Sequence, residues 1–145
     1  MEIGILVFIH VLGAAIWAGG HLILALGFLP RAIKENNFEI IERFESRYDK
    51  IGITALVVQI ITGIRLAMIY VPRFTDWFGF DNALSLRITL KLILLLLTLI
   101  IAVHAKKRLV PAKNMKALAI HIITVTVIAV LLVYVGVSFS KGALL

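Results

Sequence analysis

The side chains best suited to chemistry in this chain are its four histidines, all in or beside long apolar stretches. His10 and His21 share the first stretch, with Trp17 between them. A helix turns ~100° per residue, so an offset of 11 residues brings the two imidazoles within about 20° of one another, roughly 16 Å apart along the axis. Small residues from Gly13 to Gly20 crowd the same segment, so another helix or a flat ligand can approach its backbone. His104 and His121 lie on the third and fourth stretches, and with His21 they fall toward one side of the membrane. Neutral imidazole ligates haem iron, copper and zinc. The pattern therefore points to His21 with His121 or His104 as axial ligands of haem b, and to His10 as a further ligand or proton donor. The structural alternative is that these histidines only hydrogen-bond between helices, and that His104, close to Lys106, is an interface residue.

Cations form the second constellation. Arg65, Arg87 and Lys91 fall inside or at the rim of the second and third stretches, and no Asp or Glu lies within any span. Such charges cost about 2.5–3.5 kcal/mol each at a helix centre on insertion scales. Snorkelling relieves the arginines near helix ends, and the structural alternative is that all three cations, Lys91 included, snorkel. For the deeper Lys91, a bound anion answers the mismatch, and haem propionates paired with Arg65 and Lys91, or with Lys106, Lys107 and Arg108, are candidates. Should His10 face Lys91, that site could instead bind an anionic substrate or move protons. Thr54, Gln59, Thr62 and Thr98 add hydrogen-bonding capacity, most simply toward their own helices.

The elements that must position these residues are spans. In 145 residues the hydrophobic content is 61% and the mean hydropathy +1.05, which fits a membrane protein and no soluble class. Four segments, 3–29, 51–71, 86–105 and 117–138, are long enough to cross ~30 Å of hydrocarbon. The fold class expected is all-α, a single transmembrane four-helix bundle. The loops at 30–50 and 106–116 hold ten basic residues, against Arg73 and Lys141 on the other side. That bias predicts both termini on the outer (periplasmic) side of a bacterial cytoplasmic (inner) membrane. The first segment is too long for a signal-peptide core and is read as a span. Asn36 with Glu39 suggests a capping box for a second helix that starts before the membrane and ends at Pro72. Phe74, Trp77, Phe78 and Phe80 look like an interfacial anchor, Asp81 or Asn82 a cap for the third helix, and Pro111 the break before the fourth. The net charge of +7 reflects basic loops rather than nucleic acid. The absence of cysteine excludes disulfides and thiolate chemistry, and no phosphate loop, zinc-peptidase helix or acid pair is present.

His10 followed by Trp17-Ala18-Gly19-Gly20 and Leu29-Pro30-Arg31 resembles the first helix of the CopD-like copper-resistance membrane proteins. It is also similar to the HemJ-type protoporphyrinogen oxidases, where a histidine seven residues before Trp-x-Gly recurs. Arg43-Phe44, Thr62-Gly63, Lys91-Leu92 and the basic turn after them extend the likeness over most of the chain. The resemblance implies an all-helical bundle, haem b or copper as the metal, and redox or metal-handling work. His10 matches the first-helix histidine and Lys91 the third-helix lysine, which would make them catalytic in an oxidase. The Leu-Pro-Arg element comes later here than in the oxidases, and their carboxyl-terminal Asn-Glu has no counterpart. His121 stands where the copper proteins tend to carry an acid.

Taken together, these residues favour a haem b protein of electron-transfer type, with a quinol as one candidate electron donor. The alternatives are a porphyrinogen oxidase centred on His10 and Lys91, copper transport without haem, or an accessory subunit of a respiratory complex. The small-residue face of helix one also offers a surface for homodimerisation.

Overall fold

A computed structural model describes residues 2–80 and 82–141; Asp81, named above as a possible cap, lies outside them. Among the described residues there are helices and no strands. The four long helices are α1 (Ile3–Lys34), α2 (Glu39–Tyr70), α3 (Ala83–Leu109) and α4 (Met115–Lys141). Each is long and apolar enough to cross a membrane. Their outward faces expose Phe8, Leu26, Ile61 and Ile120, a surface suited to lipid, and the protein is a multi-pass membrane protein.

The helix ends depart from the sequence reading in ways that backbone chemistry explains. The first helix does not stop at residue 29. A π-helical stretch, Leu24–Phe28, is followed by a fresh α-helical segment with Pro30 in its first turn, where a missing N–H breaks no helical bond. Termination comes instead at Asn36, whose φ is 46°. The Asn37 N–H donates to Ala32 O at 2.9 Å and the Asn36 N–H to Ile33 O at 3.2 Å, the Schellman pattern. Asn36 therefore ends α1 and does not cap α2. Asn37 takes that part, with its Oδ1 accepting from the Glu39 N–H at 3.0 Å. Asn82 caps α3 by accepting from the Leu84 and Ser85 amides at 3.0 and 2.8 Å.

In the α2–α3 connection, the aromatic cluster is only partly an interfacial anchor. Phe74, Phe78 and Phe80 are exposed, but Trp77 is 4% exposed. Its Nε1–H donates to Val71 O at 2.7 Å, and its ring joins Val71 and Ile88 in a buried cluster. An indole is stable in an apolar core once its N–H has a partner, so Trp77 plugs the end of the bundle.

α1 packs against both α2 and α4, and α3 packs against α4, whereas α2 and α3 pack little against each other. The bundle is thus two helical hairpins, α1–α2 and α3–α4, joined along an α1–α4 seam where Trp17 and Ala18 meet Ala129. Close approach of α1 and α2 depends on Gly13, where a β-carbon would lie 2.8 Å from Gln59 Cγ and 3.1 Å from Ala55 O. A larger cluster around Leu24, Leu29, Ile41 and Leu118 fills the end carrying the basic loops.

Candidate functional site

Because α2 and α3 pack little against each other, a cleft of about 440 Å³ opens between them at the basic end, with α1 and α4 as its floor. Trp17, His21, Tyr48, Asp49, Lys106 and His121 line it. Lys106 Nζ donates to Asp49 Oδ2 at 2.9 Å, so an ion pair joins α3 to α2 beside the cleft.

Two histidines from different helices meet here. His121 Nδ1 lies 2.9 Å from Ala117 O, a carbonyl one turn back on its own helix. A carbonyl only accepts, so that nitrogen carries the proton and Nε2 carries the lone pair. His104 Nδ1 lies 3.0 Å from His121 Nε2 and donates to it. The rings stack at 5.1 Å between centroids and 27° between planes.

His21 follows the same rule. Its Nδ1 donates to Trp17 O at 2.9 Å, which leaves Nε2 as an acceptor. The Trp17 ring lies 4.3 Å away, and Thr126 Oγ1 reaches His21 O at 3.2 Å across the α1–α4 seam. Tyr48, on α2, reinforces this corner. Its hydroxyl donates to Ile16 O at 2.8 Å and also lies 3.2 Å from Trp17 O. The ring sits in a slot left by Gly20 and Gly52, where any β-carbon would collide with it.

His10 occupies the opposite half of the bundle. Thr62 donates its hydroxyl proton to Val58 O at 2.7 Å, so its oxygen accepts from His10 Nδ1–H at 2.9 Å. Lys91 Nζ and the Arg87 guanidinium carbon lie 5.4 and 5.7 Å from the centre of the Phe139 ring. Arg65 stands exposed on α2.

The structure therefore brings His104 to His121, sets His21 in the cleft that His121 lines, and leaves His10 elsewhere. Among the described residues, no group of three His, Asp or Glu is arranged to hold a metal ion. Haem b with two axial imidazoles needs the porphyrin plane between them. The expected pairs were His21 with His121 or with His104, but His104 Nδ1 and His121 Nε2 are turned on each other at 3.0 Å and not toward a shared position with His21, so this arrangement does not support haem. Sequence reasoning missed Tyr48 and its hold on the Ile16 and Trp17 carbonyls. The glycines facing it, Gly20 and Gly52, were the available signal. Thr62 was expected to bond its own helix, which it does, but its second contact with His10 needed the fold.

The family model described as copper resistance protein D matches residues 42–140. None of the curated proteins and none of the solved structures compared with the chain matches it.

Proposed function

The chain belongs to the copper resistance protein D family, and from that premise we propose that it handles copper ions in the membrane, with His104 and His121 as the ligand pair. The observation that carries the reading is the 3.0 Å approach of His104 Nδ1 to His121 Nε2. A metal ion can take the place of the shared proton when His104 moves its own proton to Nε2, so that both facing nitrogens present lone pairs. Ala117 O holds His121 in the required tautomer, as the outer partner of a metal-bound histidine does. Imidazole is a fitting copper donor, and the chain has no cysteine to compete.

Copper in this reading is cargo. Two imidazoles hold an ion with fewer donors than a resident structural metal requires, which suits release as well as capture. His21 Nε2 offers a further donor from the cleft, where the ion would lie between the hairpins. In this reading the excess of basic residues in the loops favours a cytoplasmic position for this end, with both termini outside.

The test is copper binding to the detergent-purified full chain, read by competition with a chromophoric chelator. His104→Ala and His121→Ala should each weaken copper by about tenfold or more, the scale on which even indirect ligand partners act. Thr124→Val, an exposed change on α4, should leave it unaltered. Unchanged copper affinity in both histidine variants, with helicity intact, would overturn the reading.

A further inference from the structure

Arg87 is a buried charge with unpartnered N–H groups. It lies one turn into α3 and is only 4% exposed, yet its Nε and Nη2 atoms have no hydrogen-bond partner. These two N–H groups lie side by side along one edge of the guanidinium plane, the edge that grips two oxygens of one anion. A buried donor normally has a partner, and a buried cation left alone is costly. The Phe139 ring beneath Arg87 supplies cation–π attraction but no lone pair for the in-plane N–H groups.

Lys91 sharpens the imbalance. It follows Arg87 by one helical turn, and its Nζ faces the same Phe139 ring. Gly136 leaves it room: a β-carbon there would stand 3.2 Å from Nζ. Like charges at this spacing repel, and among the described residues no carboxylate pairs with either cation.

We propose that Arg87 and Lys91 form a binding site for an oxyanion, a carboxylate or phosphate group, between α3 and the end of α4. The Nε–Nη2 edge of Arg87 takes two of its oxygens and Lys91 supplies the second positive charge. The site lies in the half of the bundle away from the histidine pair and is independent of the copper reading. The oxyanion has two possible sources, a dissolved ion or the headgroup of a phospholipid in the surrounding bilayer, and the experiment separates them.

Delipidated, detergent-purified full chain is titrated with sodium acetate and with inorganic phosphate at constant ionic strength against chloride, following the unfolding midpoint and the heat of binding. A second aliquot, purified without delipidation, is assayed for phospholipid phosphorus per chain. A dissolved oxyanion gives a saturable rise in midpoint that chloride does not reproduce; a headgroup gives tightly retained phospholipid and no response to free ions. In either case Arg87→Lys, which keeps the charge and loses the fork, should weaken binding by about ten- to a hundredfold. Arg73→Gln in the neighbouring connection should not. Binding that persists in Arg87→Lys, or a wild-type chain that shows neither saturable oxyanion binding nor retained phospholipid, overturns the proposal. Should Arg87→Lys fail to fold, the Arg87 Nε–H resonance of the ¹⁵N-arginine-labelled wild type decides: it shifts on addition of the anion or lipid if the site is real and stays put if it is not.

Discussion

Tyr48 and Gly20 form a lock between the two helices of the first hairpin, and a double-mutant cycle measures it. Gly20→Ala drives a methyl group into the Tyr48 ring, and overpacking of that kind costs about 1–3 kcal/mol. Tyr48→Ala removes the half-buried ring and its bonds to Ile16 O and Trp17 O, costing about 2–3 kcal/mol, below the range for fully buried aromatics. Once the ring is gone, the atoms nearest the methyl at residue 20 are gone with it, and the methyl fills part of the vacated slot. Exchanging glycine for alanine inside a helix is then itself favourable by up to about 1 kcal/mol. The double variant should therefore be no less stable than Tyr48→Ala alone, with a coupling of about 2 kcal/mol between the positions. Tyr48→Phe isolates the hydroxyl and should cost only about 0.6–1.5 kcal/mol. The assay is unfolding in mixed micelles with rising SDS, followed by circular dichroism. Additive single effects would refute the idea that ring and glycine meet.

Two further substitutions test other contacts. Thr62→Val removes the oxygen that accepts from His10 Nδ1–H and should cost about 1–3 kcal/mol in the same assay. Thr54→Val should cost less, because Thr54 bonds only its own helix at Lys50 O. Lys106→Ala breaks the Asp49 pair, whose side chains are 70% and 45% exposed. It should change stability by less than about 1 kcal/mol, an effect that vanishes in high salt.

Span number and the approximate limits of each helix were legible because hydropathy and length are local properties, and lipid leaves the backbone few choices. Helix ends were less so. Asn36 and Asn37 are the same residue type side by side, and nothing local decides which one closes α1 and which one opens α2. Pro30 misled for a related reason: the preceding π turn lets a new helical segment begin at the proline. The meeting of His104 with His121 was within reach of depth arguments, since both flank the short basic turn. The sparse packing of α2 against α3, which makes the cleft, was not, because it depends on packing along α1 and α4. Trp77 was misplaced because aromatic content alone does not reveal whether an indole N–H finds a carbonyl.

The two-hairpin construction bears on how the protein can move. His104 and His121 both ride on the α3–α4 hairpin, while His21 and the tyrosine that braces its corner both ride on α1–α2. A rocking of one hairpin over the Ala18–Ala129 ridge would widen or narrow the gap facing the lipid while leaving each of these partnerships whole. The connection at residues 71–82 is the only covalent tether between the halves, so its length limits the swing.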